Sequence, residues 1–217
     1  PSDTGNTPYA HSGSVSVYLG SAAGPTDVPS QVLISPQRNS ATNYGYSVAR
    51  LGDWNGDRID DIAVGEPEFQ SKGAAHLYLG STAGLKANPD WTAVGDRSNC
   101  CGYALQLAGA GDVNNDGFAD LVVGNGFFDA NSFNVNTGKA FLYLGAMRHA
   151  PNRPAWTTVG VAPNNLYANV LAGAGDVNGD GFDDVLVSEK GFDGPGGEQG
   201  RVLLFQGNSQ GLAATPS

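Results

Sequence analysis

Three stretches of this 217-residue chain can be laid over one another, and that repetition limits the fold more than any other feature of the sequence. They are YGYSVARLGDWNGDRIDDIAVGEP from Tyr44, YALQLAGAGDVNNDGFADLVVGNG from Tyr103 and YANVLAGAGDVNGDGFDDVLVSEK from Tyr167. Their leading aspartates, Asp53, Asp112 and Asp176, stand 59 and then 64 residues apart. A second phrase keeps the same beat: VYLGS ending at Ser21, LYLGS ending at Ser81, LYLG ending at Gly145 and LLFQG ending at Gly207. A third recurs as WTAVG from Trp91 and WTTVG from Trp156.

Each period holds four strand-like runs. In the second copy these are YALQLAG, FADLVVG, KAFLYLG and AWTTVG, short, rich in Val, Leu, Tyr and Phe, and bounded by Gly, Asn, Pro and Asp. With 32 Gly, 12 Pro and only 15% charged residues, the chain favours short strands and tight turns over helices. Four antiparallel strands in a repeat of this length describe one blade of a β-propeller. A solenoid needs shorter repeats, and a sandwich does not repeat internally.

The expected fold is therefore all-β, with about three and a half propeller blades. Residues 1–43 read as the third and fourth strands of a partial blade plus a linker; residues 44–102, 103–166 and 167–217 read as three blades, the last without its fourth strand. A closed ring generally needs roughly six to eight blades. Remaining blades of a longer chain, or another copy of this one, are expected partners.

The phrase from Tyr44 to Pro67, with its acidic loop, strand phrases and period, resembles the FG-GAP repeat of integrin α-subunit propellers and related surface proteins. The resemblance covers essentially the whole chain. It departs from the pattern at Tyr103–Ala104 and Tyr167–Ala168, where the phrase Phe-Gly is expected, and at Gly124–Gly126 and Ser188–Lys190, where Gly-Ala-Pro is expected. It implies an extracellular or cell-surface location and a binding rather than catalytic role.

Every copy carries the nine-residue loop D-x-N-x-D-x-x-x-D. The candidate ligands are Asp53, Asn55, Asp57 and Asp61; Asp112, Asn114, Asp116 and Asp120; and Asp176, Asn178, Asp180 and Asp184. Position seven adds a backbone carbonyl from Ile59, Phe118 or Phe182. Alternate positions of a tight loop turn their oxygens to one centre, and that many hard donors suit Ca²⁺ better than Mg²⁺. No sulfur or imidazole lies near, which disfavours zinc and copper. An EF-hand would need a glutamate at position twelve and flanking helices, whereas Val64, Val123 and Val187 stand there within strands. The competing reading is a set of Asx turns that close hairpins without metal. Three calcium ions are expected, each in a self-contained loop. Loop 1 is the poorest, because Arg58 replaces the glycines at Gly117 and Gly181.

A net charge of −10 disfavours nucleic acid and anionic membrane surfaces, and no apolar run is long enough to insert into a bilayer. Cys100 and Cys101, the only cysteines, read as a vicinal disulfide, as two free thiols, or as bonded to a part of a longer chain. His76 reads as a packed strand residue, and no catalytic constellation is evident. Trp91 and Trp156 read as blade packing. The expected function is a calcium-stabilised adhesion or binding module for a protein or glycan. The resemblance implies that its recognition loops are Glu66–Gly73, Asn125–Gly138 and Glu189–Gly200, carrying Phe127, Phe128, Phe133 and Phe192, with linkers around Asp96–Gly102 and Gly160–Leu166. The alternatives are an accessory propeller of a secreted lipase or polysaccharide lyase, or an architectural surface protein.

Overall fold

The computed structural model describes residues 12–37, 42–96, 102–133, 135–147 and 151–217. Cys100 and Cys101 lie outside the described residues. The chain is a partial β-propeller built from antiparallel sheets. Blade 1 is four-stranded, in the order Val48–Gly52, Asp61–Glu66, Ala74–Tyr78 and Trp91–Val94. Blade 2 repeats it with Gln106–Gly111, Asp120–Asn125, Lys139–Tyr143 and Trp156–Val159. Blade 3 has three strands, Tyr167–Gly175, Asp184–Glu189 and Arg201–Phe205. Ahead of blade 1, Ser14–Val17 pairs with Gln31–Ile34.

One hydrogen bond keeps this register throughout. Ser30 N–H donates to Val17 C=O, Asp90 to Leu77, Ala155 to Leu142 and Ser217 to Leu204, at 2.8–3.0 Å. In the first three cases the donor immediately precedes the outer strand.

The core lies between blades. Strand alternation sends Ala49, Leu51, Ala63, Ala75 and Leu77 of blade 1 against Leu107, Leu121, Val123, Phe141 and Tyr143 of blade 2. The opposite face of blade 2, with Ala110, Val122, Ala140 and Leu142, meets Leu171, Val185, Val187 and Phe205 of blade 3. Trp91 stacks on Trp54 at 6.0 Å and meets Tyr143 edge-on at 5.1 Å, while Trp156 meets Phe205 edge-on at 5.0 Å. Both tryptophans pack between blades.

The turn opening each blade explains the departures from the repeat phrase. Gly45 takes φ +81°, and Ala104 and Ala168 hold the same left-handed backbone at +62° and +59°, strained for a residue with a Cβ. The following blade's turn approaches so closely that a Cβ on Gly65 would lie 2.2 Å from Ala104 O, and one on Gly124 2.4 Å from Ala168 O. Blade 3 carries Ser188 at this position, its hydroxyl accepting the Val170 amide at 2.8 Å. Tyrosines tie strand one to strand three: Tyr44 Oη to Tyr78 Oη at 2.6 Å and Tyr103 Oη to Tyr143 Oη at 2.7 Å. In blade 3 the second partner is Phe205, and the buried Tyr167 hydroxyl turns to the Thr158 side chain instead, short of standard hydrogen-bond geometry.

Candidate metal centre and recognition face

Because strands alternate in direction, each acidic loop, joining strands one and two, lies at the opposite end of its blade from the loop joining strands two and three. The three acidic loops share one local design. Asp53 Oδ1 accepts the Gly56 and Asp57 amides at 2.7 and 3.0 Å, and its Oδ2 accepts Arg58 N–H at 2.7 Å. Asp176 does the same for Gly179, Asp180 and Gly181, and these amides, Gly181 first, hold its carboxyl below the usual range. Asp112 accepts Asp116 and Gly117 N–H at 2.9 and 2.7 Å. Position five repeats as well: Asp57, Asp116 and Asp180 each accept the amide two residues on and the side-chain amide of Asn55, Asn114 or Asn178. Arg58 stands at φ +69° where Gly117 and Gly181 stand at +89° and +92°, so loop 1 carries the strain that its sequence implies.

These are the bonds of Asx turns, and among the described residues no three His, Cys, Asp or Glu side chains are gathered as a ready metal cage. The donor set nonetheless fits a hard cation, because each carboxylate oxygen keeps lone pairs beyond its amide bonds. Loop 2 adds a specific mark. Asn55 Oδ1 and Asn178 Oδ1 each accept an amide at 2.9 Å, whereas Asn114 Oδ1 is buried and accepts nothing. An orphaned acceptor beside Asp112 and Asp116 suits a cation.

Position nine sits deeper than the loop rim. Asp61, Asp120 and Asp184 are fully buried. Each accepts one amide from loop position two and one from the glycine after strand three: Trp54 and Gly80, Val113 and Gly145, Val177 and Gly207, at 2.7–3.0 Å. They staple the loop to the far hairpin, a role the spacing alone does not reveal. Burial, with Asp116 and Asp112 as neighbouring like charges, pushes the Asp120 carboxyl up to about 7. Burial likewise raises Asp61, near Asp57 and Asp53.

At the opposite end, the linker between blades 2 and 3 is woven into the loops beside it. Asn164, Leu166 and Tyr167 amides donate to Val135, Asn136 and Thr137 carbonyls, and Gly191 N–H donates to Asn165 C=O. Of the four loop aromatics, Phe133 is 91% exposed and Phe127 45%, while Phe128 is buried. Phe192 is half-buried with the Arg201 guanidinium 3.9 Å above its ring. His76 is fully buried: Nε2 lies 2.7 Å from Glu66 Oε2 and Nδ1 2.9 Å from Thr92 Oγ1. No helix among the described residues is long and apolar enough to cross a membrane.

The family described as FG-GAP repeat matches residues 105–143 and 168–205, the cores of blades 2 and 3. These are FG-GAP repeats. The chain is also similar to integrin α subunits over most of its length. It is 28% identical to integrin alpha-8 of Mus musculus over 190 residues, covering 86% of this chain and 17% of that protein. It is 30% identical to integrin alpha-PS2 of Drosophila melanogaster over 201 residues, 87% of this chain and 14% of the relative. With integrin alpha-3 of Cricetulus griseus the identity is 35% over 117 residues, 52% of this chain and 11% of the relative. The chain thus spans less than a fifth of the length of each of these relatives.

Proposed function

We propose that this FG-GAP chain is part of an extracellular, calcium-stabilised adhesion propeller that binds a protein or glycan and catalyses nothing. The observation that carries the reading is the same nine-residue oxygen-rich loop on three consecutive blades, with Asn114 Oδ1 left as a buried acceptor in the second. Asp53, Asn55 and Asp57, with their counterparts Asp112, Asn114 and Asp116 and Asp176, Asn178 and Asp180, hold the cations. The carbonyls of Ile59, Phe118 and Phe182 and the buried Asp61, Asp120 and Asp184 complete the sets. Bound calcium neutralises carboxylates that otherwise repel across each loop. At about ten times Kd, each ion adds ~1.4 kcal/mol to folding stability.

The recognition face is the other end of the blades, where Phe127 and Phe133 stand on loops fixed by the woven linker. The similarity to integrin α subunits supports an adhesion role and a cell-surface location. Calorimetric titration of the decalcified protein tests the calcium reading: three sites are expected, and none or one refutes it. A screen of matrix proteins and glycans, run with and without EDTA, tests recognition. Binding by the intact chain that is lost in Phe133→Ser is the expected result; binding untouched by changes to these loops refutes the assignment of the face.

A further inference from the structure

Acidic loops 1 and 2 are each bonded to the loop of the next blade through its position eight. Ala119 N–H donates to Asp53 C=O at 2.9 Å, and Asp183 N–H donates to Asp112 C=O at 3.2 Å. The second junction has a further bond: Asp112 N–H donates to Asp183 Oδ2 at 2.8 Å across 71 residues of sequence. Asp183 therefore grips both the amide and the carbonyl of Asp112. Gly111 makes room for it, since a Cβ there would lie 2.0 Å from Asp183 Oδ2. At the first junction Ala119 has no side-chain acceptor, and a Cβ on Gly52 would meet only its methyl group, at 3.2 Å.

The two gripped residues are not incidental. Asp112 opens loop 2 and supplies both carboxylate oxygens to it. Asp183 lies in loop 3 between Phe182 and Asp184, two of that loop's assigned ligands. Ordering loop 3 around a cation fixes the backbone on both sides of Asp183 and, through the double grip, the backbone of Asp112. Loop 2 then loses less freedom when it binds its own ion.

We propose that Asp183 is a positioning residue that couples the cation sites of blades 2 and 3, so that filling either tightens the other. This rests on the calcium reading above and replaces the expectation that each loop acts alone. Linkage makes the effect reciprocal. The coupling is strongest at the 2–3 junction, with its double bond to Asp112, and weaker at the 1–2 junction, with its single one.

Calcium calorimetry on the full chain, with loop 1 silenced by Asp57→Ala, leaves two reporting sites. Silencing loop 3 as well, by Asp180→Ala, should weaken loop 2 by roughly fivefold or more, and silencing loop 2 by Asp116→Ala should weaken loop 3 by the same factor. Asp183→Ala should abolish that mutual dependence. Asp183→Asn keeps an acceptor for the Asp112 amide without the charge and should preserve it, separating the grip from simple electrostatic attraction. Exchange of the Asp112 amide proton gives a second readout: with loops 1 and 2 silenced, calcium in loop 3 should slow it, and in Asp183→Ala it should not. Should Asp183→Ala fail to fold, Ala119→Asp supplies the missing second bond at the 1–2 junction and should raise the dependence between loops 1 and 2. Failure of the unaltered protein to take up calcium overturns the calcium reading and the coupling with it. Uptake at independent sites, or a mutual dependence that Asp183→Ala leaves unchanged, overturns the coupling alone.

Discussion

Loop positions five and nine carry the same side chain in every repeat, yet the structure gives them different work, and blade 3 offers the cleanest separation. Asp184 is fully buried and accepts the amides of Val177 and Gly207 at 3.0 and 2.9 Å. Asp180 lies on the exposed loop and accepts Phe182 N–H and the Asn178 side-chain amide. In excess EDTA, Asp184→Ala leaves the Gly207 amide orphaned in the sheet and the Val177 amide partly so. An unpaired buried donor costs about 1–3 kcal/mol, so a loss of roughly 2–4 kcal/mol is expected. At about 2–4 °C per kcal/mol for a chain of this size, a 3 kcal/mol loss lowers Tm by roughly 6–12 °C. Asp180→Ala exposes its freed amides to water and should stay within about 1 kcal/mol of the parent under the same conditions. Asp184→Asn, which keeps one acceptor, should fall between. Thermal unfolding followed by circular dichroism in EDTA reads all three. Equal Tm shifts for Asp184→Ala and Asp180→Ala would refute the staple and reduce position nine to one more ligand.

Phe205→Tyr should stabilise the protein by up to about 1 kcal/mol, by giving the buried Tyr167 hydroxyl a better-aligned partner than Thr158, as its counterparts have in Tyr78 and Tyr143; a denaturant midpoint that does not rise argues against it. His76→Leu should cost roughly 1–3 kcal/mol because it removes the hydrogen-bond partner of the buried Glu66 side chain, and pairing it with Glu66→Gln should recover part of the loss in chemical denaturation. Arg58→Gly should raise stability by about 0.5–1 kcal/mol through relief of the left-handed backbone at φ +69°; an unchanged or lower Tm refutes strain at that site.

Much of the architecture was legible because it is periodic. The recurring phrases mark strands one, two and three of each blade, and the two tryptophan phrases begin the outer strands at Trp91 and Trp156. Substitutions within the repeat were harder to weigh. Ala104 and Ala168 look like defects in the opening turn, yet the blade-to-blade packing imposes the left-handed backbone on them regardless. Contacts between repeats were invisible, since nothing in a spacing of 71 residues signals that Asp183 will meet Asp112. Burial of single loop aromatics was equally hidden: Phe128 turns inward and Phe192 lies beneath Arg201, while Phe133 stands out in solvent. The stapling by position nine was hidden for a related reason. A loop pattern counts oxygens along the chain and is blind to the hairpin glycine that approaches from behind.

Ser188 bears on how such a chain can grow. Tandem duplication or excision of a unit is tolerated only where the new neighbours' surfaces match. At Gly65 and Gly124 the match depends on a bare Cα, against which the next unit lays the carbonyl of its opening turn. Excising blade 2 would set blade 3 against Gly65, a surface already shaped to receive that turn. Copying blade 3 behind itself would instead drive an opening-turn carbonyl onto the Ser188 side chain, which is already committed to the Val170 amide. The units are alike in outline but not interchangeable in order.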